Sequence, residues 1–244
     1  MMRAIYGLVA LGLVAGLPSP ASLIGPAQAK ARAAEGQSTR GLYLELIRQA
    51  RSDGKPRAAL AFLDDFDRTY PGDVEAVVLR INCLLDLEAV TEAALLAERL
   101  PTGPRAAALG SEAVRGHVSA AQQDWRKAVR HYENAIKSKP ADAYLLSALG
   151  YARIQAGSAR QAIADLSAAS ELAPRSPVIR NNLMLAMLLG GDASGVRAML
   201  QTITDDAERQ EVDATLEAEA RAIIERLANR APAAAPITEQ GDEA

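Results

Sequence analysis

Between Pro140 and Pro174 the chain reads PADAYLLSALGYARIQAGSARQAIADLSAASELAP, so two prolines stand 34 residues apart, and the stretch from Leu109 to Pro140 ends on the same beat. A chain built on a period of this length makes one small helical unit at a time. No unit can bury its apolar face alone, so stability has to come from stacking each unit on the next. Within the unit, Leu146 and Leu149 fall on one helical stripe and Ile163 and Leu166 on another. Gly150 and Ala162 lie between them with almost no side chain, which lets two helices cross closely while the leucines fill the space around the crossing. The ends are also encoded. Asp142 and Ser176 suit N-caps, the latter followed by Pro177 at the first helical position. Gly157 suits the left-handed position after a helix, and Pro174 stops the next one.

Stepping by the same period finds further units. One unit back, Gly116, Trp125, Ala128, Tyr132, Ala135 and Pro140 fill the equivalent places, and QQDWRKAVRHYENAIKSKP from Gln122 reads as a turn and second helix. Gly54, Ala59, Leu63 and Pro71 mark another unit starting near Thr39. The unit opening at Asp73, which suits an N-cap, keeps Ala93 but has Ile81 at the small position and Glu88 at the turn. It reaches Pro101 early and leaves an irregular connection, TGPRAAA, from Thr102. After Pro174, Gly191-Asp192 supplies a turn, while Met184 and Val196 replace the small pair. On these residues the chain resembles a tetratricopeptide repeat (TPR) protein. The resemblance implies an all-α, right-handed helical solenoid of about five helix pairs, closed by a C-terminal capping helix.

The two ends fall outside the array. Arg3, the apolar run AIYGLVALGLVAGL from Ala4, and Ala27-Gln28-Ala29 form the pattern of a secretory signal peptide over residues 1–29. The run is too short for a retained membrane span across ~30 Å of hydrocarbon, and Pro18 and Pro20 interrupt the chain just beyond it. Cleavage near Ala29 and a periplasmic or secreted location are therefore expected. The first cysteine is Cys83, so the lipid-bearing cysteine of a bacterial lipoprotein is not expected, nor is a direct membrane anchor after cleavage. Residues 30–38 are small and polar and read as a flexible lead, and 39–230 as the repeat domain. Within it, Leu216, Ala220, Ile223, Ile224 and Leu227 mark the closing helix. The tail PAAAPITEQGDEA, within 231–244, is too poor in apolar residues to fold and is expected to be disordered.

Composition narrows the function classes. Hydrophobic residues make up 49% of the chain and aromatics 4%, with no strand-like alternation, which suits an all-helical fold. A formal charge of −3 gives no reason to expect nucleic-acid binding. Cys83 is alone, which precludes an internal disulfide. It sits among Val77, Val78, Ile81, Leu84 and Leu85, where a thiol acts as a small hydrophobe and not as a nucleophile served by His117 or His131. Those two histidines have no zinc spacing. Asp64, Asp65 and Asp67 lack the turn glycine and closing glutamate of a calcium loop and read as a solvated helix face. Gly190-Gly191 is a helix corner without the lysine of a phosphate loop. The expectation is a chain with no catalytic residues, no metal and no cofactor.

In TPR arrays the first helices of successive pairs line a concave face. The resemblance places Arg48, Asn82, His117, Tyr151 and Leu185 at one equivalent groove position, with Tyr144, Ser147, Val178 and Asn181 beside them. Such a mixture suits a partner peptide or helix. The lysine-asparagine-arginine clamp of chaperone-binding TPR domains is not reproduced. A last unit reading RNNLMLAMLLGGD from Arg180, running into a charged closing helix, is similar to TPR proteins of tight-adherence (Flp-type) pilus assembly. That likeness implies a scaffold for a secretion or pilus complex in the bacterial envelope, with a secretin or another pilus component as partner. This chain departs from those proteins in lacking their lipid-bearing cysteine. A general periplasmic adaptor and an accessory scaffold for a periplasmic enzyme are the alternatives.

Overall fold

A computed structural model of the chain describes residues 26–230, in which every regular element is an α-helix. The apolar run of the expected leader and the tail from Pro232 lie outside the described residues. The chain divides into two compact units between Leu46 and Ile47, and the repeats belong almost wholly to the second.

The helices are α1 (Pro26–Ser52), α2 (Pro56–Thr69), α3 (Val74–Asp86), α4 (Val90–Arg99), α5 (Pro104–Ala108), α6 (Ser111–Ala121), α7 (Trp125–Ile136), α8 (Ala143–Gln155), α9 (Ala159–Leu172), α10 (Pro177–Gly190), α11 (Ala193–Leu200) and α12 (Asp206–Arg230). Of the expected pairs, α3/α4, α6/α7, α8/α9 and α10/α11 are in contact, and α3 also meets α6, and α8 meets α10, in the next pair. Their starts follow the caps read from the sequence. Asp73 accepts from the backbone N–H of Glu75 and Ala76, Asp142 from Leu145 and Ser176 from Ile179. The turns at Gly157 and Gly191 take the left-handed backbone, with φ of 88° and 91°. Glu88 holds the same conformation at φ 60° without being glycine.

The crossings are as tight as the small residues require. A Cβ built on Gly150 would lie 2.5 Å from Leu166 Cγ, and one on Gly116 would strike the Tyr132 ring. Ala162 and Leu166 are fully buried across that seam, as is Ala128 in the pair before. Hydrogen bonds between successive pairs carry the period into three dimensions. Ser147 accepts from Asn182, and Asp86 accepts from Arg51, each 35 residues away.

Two features differ from expectation. The backbone is already helical from Pro26, so residues 30–38, expected to be a flexible lead, continue into α1. Their alanine, arginine, glutamate and glutamine are good helix formers that need no amphipathic stripe once a helix follows. The connection after Pro101 is not wholly irregular: Pro104 opens the single turn and a half of α5, which lies against α6 and α7. Among the described residues no helix is long and apolar enough to cross a membrane.

Candidate functional site

The nine groove residues read from the sequence fall into three settings. Arg48, at the end of α1, forms an ion pair with Glu75 on α3. Asn82 Oδ1 lies 3.3 Å from His117 Nδ1, which joins α3 to α6. His117 is stacked at a tilt on Tyr132 with 5.6 Å between ring centroids. Burial, helped by the charge of Arg51 and opposed by Asp142 and Asp86, holds its imidazole below the ordinary value.

Tyr144 and Val178 form the second setting. They occupy the same place in the first turns of α8 and α10 and are 71% and 63% exposed. Beside Tyr144 is a cleft of about 140 Å³ between α6 and α8, walled by Gly110, Ala113, His117 and Leu145 and edged by Lys139 and Asp142. Ser147 is buried and fixed by Asn182, while Asn181 is half-buried and accepts from Arg180. Here the cleft has a mostly apolar floor, a solvated aromatic wall and both charges at its rim. Such a surface can take an apolar side chain and hydrogen-bond the chain that carries it.

The third setting is Tyr151 and Leu185, and α12 covers both. Leu185 is 1% exposed in a cluster with Met184, Val196, Ile203, Leu216, Ala220 and Ile223. Tyr151 packs against the same cluster and donates its hydroxyl to Glu219 at 2.9 Å. Burial, reinforced by the Glu219 carboxylate, pushes the phenol up to about 12. Gln155 adds a donor to Glu219 at 3.5 Å and receives Arg226 on its side-chain oxygen at 2.5 Å and on its carbonyl at 3.0 Å. Arg226 also lies over the Trp125 ring, 5.9 Å from its centroid, and Trp125 meets Tyr151 edge-on at the same separation. Near its start, α12 is tied to α10 through Glu208 and Arg180 at 3.0 Å. At about 1.5 Å per residue the 25-residue helix is about 37 Å long. Its contacts run from α10 to α8 to the start of α7, so the closing helix covers the groove positions Tyr151 and Leu185.

Sequence reasoning did not find Gln155, Glu219 and Arg226. Glu219 and Arg226 are seven residues apart and flank the Leu216–Ala220–Ile223–Leu227 stripe, so their shared helix face is legible. The surface that receives this face is not.

The other titratable clusters have structural partners. Arg80 joins Asp64 and Asp67 at 2.8 and 2.9 Å, binding α3 to α2. Glu112 accepts from Arg115 and lies 3.0 Å from His131. Burial alone would raise the Glu112 carboxyl, but the His131 bond and charge, together with Arg115, outweigh it and hold it below the usual carboxylate range. Cys83 is fully buried, and that burial pushes its thiol up, away from the reactive thiolate. Among the described residues no group of three or more His, Cys, Asp or Glu side chains is placed to hold a metal ion.

No family model matches the chain, and no curated protein sequence matches it. Solved structures do. MamA from Desulfovibrio magneticus RS-1 is 18% identical, with a TM-score of 0.51 over 72% of this chain and 96% of that one. A thermophilic TPR protein from Thermus thermophilus is 22% identical, with a TM-score of 0.57 over 76% of this chain and 98% of that one. The likeness is one of fold: the helix pairs are of the TPR type.

Proposed function

We propose that this TPR-type chain is a non-catalytic scaffold that binds a partner protein through the open first turns of α8 and α10. The observation that carries this reading is the pair Tyr144 and Val178, which repeat one position in successive units and remain 71% and 63% exposed beside the α6/α8 cleft. Large side chains left in water at a repeated position, next to a recess with an apolar floor, are the arrangement that anchors a partner's side chain. The leader pattern at the N-terminus supports a place in the bacterial cell envelope, and the likeness of the last unit and closing helix to tight-adherence pilus proteins supports a role in assembling a pilus or secretion complex there.

The test is crosslinking in intact envelopes followed by affinity purification and mass spectrometry, with Tyr144→Ala/Val178→Ala beside the wild type. Secretin or other pilus components enriched by the wild type and lost in the variant are the expected result. Recovery of the same partners by the variant would rule out this surface, and recovery of unrelated envelope proteins would rule out the pilus role.

A further inference from the structure

Three cations stand together on α7 without partners. Arg126, Lys127 and Arg130 are exposed, and among the described residues their side chains make no ion pair and no hydrogen bond. At about 3.6 residues per turn, Arg126, Arg130 and Lys137 fall on one face of the helix, with Lys127 beside them. The acids nearby are engaged or set apart. Asp124 caps the backbone N–H of Lys127 at 3.1 Å, and Glu133 accepts from Arg153 at 2.8 Å. Glu98 shares with Lys127 a cleft of about 260 Å³ between α4, α6 and α7 but makes no bond to it. Other charge clusters of the repeats are answered within the fold: Arg80 meets Asp64 and Asp67, and Arg153 meets Glu133 and Asp165.

The last turns of α12 bring the chain to the start of α7. Arg226 lies over the ring of Trp125, the first residue of α7, and a Cβ built on Gly157 would lie 3.4 Å from Leu227. The helix closes one turn later, at Arg230. Residues 231–244, which follow, hold Glu239, Asp242 and Glu243 and no basic residue. The nine residues from Arg230 to Glu239 span up to about 30 Å, ample to reach the first turn of α7. Arg130 is one turn, or about 6 Å, further along, within reach of Asp242 and Glu243. We infer that segment 231–244 docks on the cationic face of α7, with Glu239, Asp242 and Glu243 answering Arg126, Lys127 and Arg130, and so covers that face against other acidic segments. Charge sets this contact, which asks no fold of the segment. A single exposed ion pair contributes little, and here the tether to α12 supplies the local concentration that makes three of them effective together. Tyr144 and Val178 take no part, so the scaffold function stands or falls separately.

The test is a nitroxide on Gly241→Cys in the full chain, with Cys83 spared the label because it is fully buried. At low salt the backbone amide NMR signals of α7 around Arg126 and Arg130 are expected to weaken at least about twofold, and to recover in about 1 M salt, where the screening length is about 3 Å. They should also recover when the cations are removed as Arg126→Gln/Lys127→Gln/Arg130→Gln, or the acids as Glu239→Gln/Asp242→Asn/Glu243→Gln. Glutamine forms helix well, and the first set takes like charge away from the positive end of the helix dipole, so α7 keeps its fold. Far-UV circular dichroism checks this. Weakening that persists in either variant, or that centres on the end of α12 and spares α7, overturns the proposal. No weakening at low salt overturns it as well and leaves the face to an acidic segment of another protein. A mixture of nitroxide-bearing chain with isotope-labelled chain lacking the nitroxide should show no weakening. Weakening of the α7 signals there overturns the proposal in favour of docking between two copies.

Discussion

The hydroxyl of Tyr151 on α8 donates to the carboxylate of Glu219 on α12 at 2.9 Å, across 68 residues of sequence. This one bond ties a residue read from the sequence as a groove position to the closing helix of the chain itself. The C-terminal halves of α8 and α10 are therefore already covered, while their first turns, with Tyr144 and Val178, remain open.

The titration of Tyr151 should make that cover sensitive to alkali. The folded state raises this phenol, so its contribution to stability is complete below the ordinary phenol value of about 10 and is lost as pH rises through the folded value of about 12. Acrylamide quenching of Trp125 is expected to increase across this window, and Tyr151→Phe should remove the step while leaving the rest of the alkaline transition.

His117 works in the opposite direction. Its imidazole is held down chiefly by burial, so the neutral ring is the folded form. The stability it contributes is complete above the ordinary value of about 6.5 and is lost progressively as pH falls below that toward the folded value. Urea midpoints should drop between about pH 7.5 and 5.5, and His117→Gln should flatten that dependence. An NMR titration of His117 that centres at or above the ordinary imidazole value would contradict the assignment.

Gly150→Leu should lower stability by about 1–3 kcal/mol, because its Cβ alone would sit 2.5 Å from Leu166 Cγ and the seam has no room to yield. Chemical denaturation followed by circular dichroism measures this directly. An unchanged midpoint would mean that the helix crossing is elsewhere.

Asp142→Ala should cost about 1 kcal/mol by removing the cap on the Leu145 N–H at the start of α8. Asp142→Asn should retain most of it. A loss from Asn as large as that from Ala would show that charge, and not the capping bond, is what matters there.

Glu88→Gly should raise stability, by up to about 1 kcal/mol, since a residue with a Cβ is strained in the left-handed region and glycine is not. Glu88 holds φ 60° at the turn between α3 and α4. The gain is read from the same denaturation curves, and a loss would mean that the Glu88 side chain makes a contact worth more than the strain.

The prolines 34 residues apart, the caps at Asp73, Asp142 and Ser176, and the glycine turns at 157 and 191 determine the helix pairs from the sequence alone. Each of these signals acts within a few residues, so its meaning does not depend on what packs against it. The seam residues Gly150 and Leu166 were legible for a related reason: the repeat fixes which positions of a pair must meet. The departures had local causes too, as in the helix-forming residues 30–38 and the single extra helix begun by Pro104.

The landing place of α12 was a different kind of question. Its apolar stripe at Leu216, Ala220, Ile223 and Leu227 announces a helix with one face to bury, yet the same stripe would serve for capping the end of the stack or for lying along the groove. The choice was made by contacts 64 to 71 residues distant, from Gln155 and Tyr151 to Glu219 and Arg226. Local pattern determines that a face must be buried. Only the assembled array of α7, α8 and α10 supplies the surface that decides where, and with it which of the groove positions read from the sequence stay exposed.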